Sequence, residues 1–334
     1  MSREYDVAIL GATGLVGRTM ARVLEERRFP VRSIKLLASA RSVGTRLPFM
    51  GEEIPVAEAT PAAFEGVQVA LFSAGGGTSK EMAPAAARAG AVVIDNSSAW
   101  RMEPDVPLVV PEVNPEDVDW HRGIIANPNC STIQMVVALN PLHRVNPIKA
   151  IVVDTYQSVG GTGHKGVAEL EAQIEDPDAQ PAVYPHPIAF NLIPEIDVFL
   201  GEGTFKEEAK MRLETRKIMH APDVRVIATT VRVPVWSAHS EAVHVSFTEP
   251  ISPAEAREIL ARAPGVVVED DPARSVYPTP RAKAGRDEVF VGRIRCNDVF
   301  DHGLSMWVVA DNVRKGAATN AVQIAETLVQ RGRL

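Results

Sequence analysis

Apolar residues in this chain gather into short runs, and the spacing between runs changes part-way along it. Residues 5–10, 33–38, 67–73, 91–95 and 108–110 each read as a short buried strand. Helix-periodic stretches lie between them, one following Gly17 and running to Arg28 and one in an Ala-rich segment ending at 89. Strands alternating with helices predict a parallel, doubly wound sheet. Around 127–150 the rhythm shifts. Residues 150–157, 224–235, 241–248, 266–269, 288–295 and 304–310 are expected strands, 164–175 and 205–220 are expected helices, and 177–194 is Pro-rich and irregular. Ser252-Pro253-Ala254-Glu255 is a capping box with Pro at the first helical position. Long strands with fewer helices predict a second, mixed-sheet domain. The expected organisation is one domain of residues 1–127 and 313–334, closed by a helix at 314–331, and another of 128–312.

Composition narrows the function. The chain has 334 residues, enough for two domains, and its 46% hydrophobic content supports ordinary cores. A net charge of −7 without a Lys/Arg run argues against nucleic acid as a partner. Two cysteines, Cys130 and Cys296, make no disulfide framework, and Cys296 reads as a structural strand residue. There is no signal-peptide pattern after Met1 and no uninterrupted apolar run of about 18 residues, so the expectation is a soluble, cytoplasmic protein with no membrane partner. No metal-ligand cluster is visible.

Two motifs carry chemistry. In Asn127-Pro128-Asn129-Cys130-Ser131-Thr132 a cysteine opens an apolar helical run, with Asn129 or Ser131 as N-cap. The helix N-terminus favours the thiolate, the nucleophilic form, and the polar Asn-Pro-Asn before the cysteine argues against burial. In Gly11-Ala12-Thr13-Gly14-Leu15-Val16-Gly17 a strand turns into a helix, the arrangement that lets a backbone approach a pyrophosphate. The second strand ends in Ala38-Ser39-Ala40-Arg41-Ser42 rather than in a carboxylate. Ser39, Arg41 and Ser42 suit a 2′-phosphate, and so NADP.

With these motifs in hand, the chain resembles the aspartate-β-semialdehyde dehydrogenases nearly from end to end. The resemblance rests on Gly11–Gly17, Phe72-Ser73-Ala74-Gly75-Gly76, Asn96–Met102, Asn127–Thr132 and Tyr156–Val159. It extends through Glu207-x-x-Lys210-x-x-x-Glu214-Thr215, Arg232-Val233-Pro234-Val235 with His239-Ser240, and Asp311-Asn312-x-Arg314-Lys315-Gly316. It implies a Rossmann-type NADP domain joined to a glyceraldehyde-3-phosphate-dehydrogenase-like catalytic domain that forms a homodimer. The implied reaction is reversible reductive dephosphorylation of L-4-aspartyl phosphate to the semialdehyde, in lysine, threonine, methionine and diaminopimelate biosynthesis. Gly160-Gly161-Thr162-Gly163 and Ala238 depart from the family pattern, where Ser-Gly-Ala-Gly and Gly are usual.

The resemblance also assigns roles. Cys130 is the nucleophile that holds the acyl group as a thioester, His239 the acid/base, and Gln157 an orienting amide. Arg232 grips the substrate carboxylate and Glu207 its ammonium, while Arg101, Asn129 and Lys210 take phosphate. Ser73, Gly75, Gly161 and Asn312 join the glycine loop in holding NADP. On spacing alone, Glu207 and Lys210 at i, i+3 look like an exposed helical ion pair. A related reductase acting on N-acetylglutamyl phosphate is the nearest competing reading, but its neutral substrate nitrogen has no use for Glu207. A catalytically dead NADP-binding protein is disfavoured by the joint presence of Cys130, Gln157, Arg232 and His239.

Overall fold

In the computed structural model, which describes residues 3–334, the strands gather into two sheets. The chain divides into a unit running up to Pro128 and resuming at Ala317–Leu334, and a second unit, Asn129–Gly316.

The first unit contains β1 (Tyr5–Leu10), α1 (Leu15–Glu26), β2 (Val31–Ala38), β3 (Arg46–Phe49), β4 (Glu52–Glu58), β5 (Val69–Phe72), α2 (Gly76–Arg88), β6 (Val92–Asp95) and β7 (Ile124–Ala126). Its sheet order is β3-β4-β2-β1-β5-β6-β7, parallel except for the β3–β4 hairpin. The order reverses between β1 and β5, the place where such sheets bind nucleotides. Strand alternation sends Val7 and Ile9 to one layer, with Met20, Leu24 and, from the C-terminal helix Thr319–Gln330, Val322 and Leu328. Ala8 and Leu10 go to the other layer, with Phe72, Met82 and Ala86. The expected strand at 108–110 is only an isolated bridge between Leu108 and Ala126.

The second unit opens with α3 (Cys130–Val145), followed by β8 (Ile148–Ser158), α4 (His164–Glu175), α5 (Lys206–Ile218), β9 (Arg225–Val233), β10 (His239–Phe247), α6 (Pro253–Ala261), β11 (Val266–Val268), β12 (Val289–Asn297) and β13 (Gly303–Ala310). The mixed sheet runs β11-β12-β13-β10-β8-β9. Almost every residue of α3 from Ser131 to Leu142 is buried, and the helix packs against β8, β10, β12 and β13. The opposite side of the sheet leaves Tyr156 and Ile227 exposed, and Tyr156 lies against Trp307 at 5.4 Å between ring centroids. The Ser252–Glu255 capping box forms as predicted, with both reciprocal bonds made. Cys296 departs from its expectation. A register irregularity between Gly292 and Arg295 breaks the alternation of β12 and leaves this cysteine exposed.

Candidate active site

Cys130 is the first residue of α3. Asn129 caps the helix through its side-chain oxygen, which accepts from Ser131 N–H and Thr132 N–H at 3.1 Å each. Asn127 and Asn129 are both buried, and each has its hydrogen-bonding groups engaged. Asn127 donates to Asn96 Oδ1 at 2.7 Å, and Asn129 donates to Glu207 Oε1 at 2.8 Å. Cys130 itself is half-buried. On its other flank, a Cβ added at Gly316 would stand 2.7 Å from the Cβ of Cys130.

Glu207 anchors a polar cluster beside this turn. It is buried and accepts from Asn129, from Gln157 Nε2 at 3.1 Å and from Lys210 Nζ at 3.0 Å. Burial opposes its charge, but the Lys210 ammonium and these hydrogen bonds outweigh that and hold its carboxyl down to about 2. Lys210 also binds Asp197 at 2.6 Å. The Glu207–Lys210 pair is therefore largely buried, not the exposed ion pair that spacing suggested. Glu214, one helical turn beyond Lys210, accepts the backbone N–H of Asn129 at 2.7 Å.

A second cluster forms where β8 ends and β10 begins. Arg232 is buried, donates through Nη1 to Ser158 O at 2.7 Å, and leaves Nε without a partner. It has no carboxylate partner among the described residues, so a buried cation is left for an anion to neutralise. His239 accepts at Nδ1 from the backbone N–H of Ser158 at 3.1 Å. That donor fixes the neutral tautomer, so the ring proton sits on Nε2, a buried atom with no partner. Burial and the neighbouring Arg232 push the imidazole down to about 3, so it stays neutral. A Cβ at Gly161 would come within 2.9 Å of Arg232 Nη1 and 3.2 Å of His239 Nε2. The space beside Gly161 is thus bounded by the buried guanidinium and the imidazole N–H. Asn312 Oδ1 braces both segments, accepting from Ser158 Oγ and from Ala238 N–H at 3.0 Å each. Ala238 has φ of 67°, a left-handed backbone in which glycine is more at ease.

In the first unit, the loop from Gly11 to Gly17 is drawn tight. A Cβ on Gly11 would clash with Ser73 O, and one on Gly17 with the oxygen of Gly11. Thr13, Leu15, Val16 and Gly75 lie at the starts of α1 and α2, and neither helix has a side-chain cap. Uncapped amides at the sheet's reversal point fit a pyrophosphate. Ser39 and Arg41 are exposed and Ser42 half-exposed in a turn after β2, and Arg41 makes no ion pair among the described residues. Arg101 is buried and donates to Asn127 O and Asn96 O, at 3.0 and 2.9 Å. No group of side chains among the described residues has metal-binding character. No helix among them is long and apolar enough to cross a membrane.

Comparison with known proteins decides the family. Residues 6–121 match a semialdehyde dehydrogenase NAD binding domain and residues 139–315 a semialdehyde dehydrogenase dimerisation domain. The aspartate-semialdehyde dehydrogenase of Aquifex aeolicus is 60% identical, over 98% of this chain and 99% of its own. The chain belongs to the aspartate-semialdehyde dehydrogenase family. Among solved aspartate-semialdehyde dehydrogenases, enzyme II of Vibrio cholerae, complexed with ASA, has a TM-score of 0.96 at 48% identity, covering 98% of this chain and 99% of that one. The Candida albicans enzyme, solved with NADP, has a TM-score of 0.77 at 27% identity and covers 98% of each chain.

Sequence reasoning passed over three residues of the second unit's site: Ser158, Glu214 and Gly316. All three stand inside motifs that had already been singled out. Their contacts are backbone donors, backbone acceptors and close approaches, which side-chain chemistry does not advertise.

Proposed function

We propose that this enzyme interconverts L-4-aspartyl phosphate and L-aspartate 4-semialdehyde, using NADP and a thioester on Cys130. The observation that carries the reading is the pairing of a buried, anion-seeking Arg232 with a buried, ionised Glu207. These opposite charges match the α-carboxylate and ammonium of an amino-acid substrate, whereas an N-acylated analogue would bring no cation of its own to the ionised Glu207, which Lys210 alone would then neutralise.

In the biosynthetic direction, the Cys130 thiolate attacks the acyl carbon. The carbon–oxygen bond to phosphate breaks, phosphate leaves with the electron pair, and a thioester remains. NADP, when bound in its reduced form, supplies the hydride that converts the thioester to a thiohemiacetal alkoxide. The Nε2–H of His239 faces the space where that oxygen develops charge and stabilises it by donation. Collapse breaks the carbon–sulfur bond and returns aldehyde and thiolate with no net proton taken up, so a neutral imidazole suffices. Gln157 helps orient the acyl group, and Arg101, Asn129 and Lys210 receive the phosphate. Gly11, Thr13, Gly14, Leu15, Val16, Gly17, Ser73 and Gly75 would cradle the pyrophosphate, and Gly161 and Asn312 are further NADP-binding residues. Ser39, Arg41 and Ser42 hold the 2′-phosphate.

The product feeds lysine, threonine and methionine synthesis in the cytoplasm. The enzyme works as a homodimer through the sheet face carrying Tyr156, Ile227 and Trp307. Phosphate-dependent reduction of NADP by the semialdehyde tests the activity. Cys130→Ser should abolish it while retaining NADP binding, since a serine hydroxyl is not ionised at neutral pH without a strong base. Turnover retained by that variant would refute the thioester.

A further inference from the structure

Glu241 lies two residues beyond His239 on β10, so both point to the face covered by α3. It is wholly buried, and neither carboxyl oxygen has a hydrogen-bond partner. The reaction proposed above gives it no part. Across the interface, Gln134 sits one helical turn beyond Cys130, on the same side of α3. Gln134 is buried too. Its Nε2 reaches His239 O at 3.5 Å, while its Oε1 has no partner. By hydrogen-bond geometry neither oxygen of Glu241, nor Gln134 Oε1, has a partner, although the Gln134 side chain lies close enough to the carboxyl to act on it.

None of the strand neighbours is hydrogen-bonded to the carboxyl. Register places Thr155 of β8 and Val308 of β13 beside Glu241, and His239 is the titratable residue on this face of the strand. Burial raises the carboxyl well above the ordinary carboxylate range, and nearby Gln134 offsets only part of that. A proton on the carboxyl provides the missing donor.

We propose that Glu241 is a positioning residue: held as a neutral acid, it donates its carboxyl proton to Gln134 Oε1, and the pair locks the first turns of α3 against the start of β10. Cys130 and Gln134 lie on one side of the helix, and His239 and Glu241 on one side of the strand. The lock thereby sets the nucleophile relative to the imidazole. The inference rests on the reading of Cys130 and His239 as the working pair.

The test compares wild type, Glu241→Gln and Glu241→Leu, all carrying Cys296→Ser so that one thiol reports. The infrared carbonyl band of a protonated carboxylic acid should be present in the wild type at neutral pH and missing in Glu241→Gln. Glu241→Gln keeps a donor for Gln134 and should hold kcat within about threefold, with an unchanged pH profile for alkylation of Cys130 by iodoacetamide. Glu241→Leu should lose kcat by about tenfold or more at nearly constant KM, and should shift that pH profile, because misplacing a reacting group by a fraction of an ångström is enough. Should Glu241→Leu fail to fold, the infrared band and Glu241→Gln still decide. A wild type without the band, a Glu241→Leu indistinguishable from wild type, or a Glu241→Gln as impaired as a folded Glu241→Leu would each overturn the proposal. Wild-type enzyme that stays active after Cys130 is fully alkylated would instead sink the thioester reading.

Discussion

Replacing Gly316 by alanine probes how closely the nucleophile is held. Gly316 lies in a π-type turn, Arg314–Ala318, with its N–H bonded at 3.0 Å to Asp311 O, five residues back. The added methyl would stand 2.7 Å from the Cβ of Cys130 and 3.2 Å from its Cα. Carbon atoms in contact settle at about 3.5–4.0 Å, so one side must yield by about 1 Å. Neither side yields easily. The Cα belongs to the capped turn of α3, whose cap residue also holds Glu207, and the π-type turn is pinned by its own bond to Asp311. Overpacking of this kind costs about 1–3 kcal/mol of stability. Moving a reacting atom by about 1 Å costs about a hundredfold in rate. We expect Gly316→Ala to lower kcat for phosphate-dependent semialdehyde oxidation by about that factor and to slow alkylation of Cys130. The dissociation constant for NADP, set in the proposed function by the Gly11–Gly17 loop, should not change. Steady-state kinetics, alkylation rates and a thermal melt on one preparation give all three readouts. A folded Gly316→Ala enzyme with wild-type kcat would show that the glycine is not there to make room for Cys130.

Three further outcomes follow from the site. Arg41→Ala should weaken NADP binding by about tenfold or more, equivalent to losing a charge-assisted contact of about 1.5–3 kcal/mol, and leave NAD nearly untouched; titration with both cofactors checks it. Arg232→Ala should raise KM for the semialdehyde more than KM for phosphate, and Arg101→Ala the reverse; equal damage by both would remove the division of labour between them. His239 is held down to about 3 in the fold against 6.5 in the open chain, so its stabilising effect is complete above 6.5 and is lost as pH falls towards 3. Between pH 7 and pH 4, wild type should therefore lose about 3 kcal/mol more stability than His239→Gln, measured by denaturant unfolding, and a pH-independent difference would mean that the ring is solvated.

The first unit was largely legible because its signals are local. A strand, a glycine turn and an apolar helix follow one another within the first 26 residues, and the next strand ends at Ala38, just before Ser39. The β3–β4 hairpin was not legible. Its first strand is only four residues long, each strand carries a proline, and its two-residue turn places Met50 at φ 49° beside Gly51 at 81°, a left-handed pair that Met does not announce. Residue type and position pointed to Cys130, whereas Glu207, Arg232 and His239 were reached only through the resemblance to a known family. What ties them together was hidden, because contacts such as Ser158 N–H to His239 or Gly316 to Cys130 join residues 81 and 186 positions apart (239 − 158 and 316 − 130) through backbone geometry. The start of β10 was also misjudged. The strand begins at His239 rather than two residues later, since Ser240 pairs with both Tyr156 and Val309.

The main-chain donor on His239 has a bearing on how this site tolerates mutation. Most catalytic histidines are oriented by a carboxylate or carbonyl partner, and where that partner is a side chain a single codon change can remove it. Here the tautomer is dictated by the amide of residue 158, which nineteen of the twenty amino acids would supply equally. Only proline, which lacks the N–H, erases it. The tautomer of the ring is thus inherited from the path of the backbone: the buried Ser158 hydroxyl, 3.1 Å from the same nitrogen and bonded to Asn312, restricts what fits at position 158, but no exchange short of proline removes the N–H that holds the imidazole.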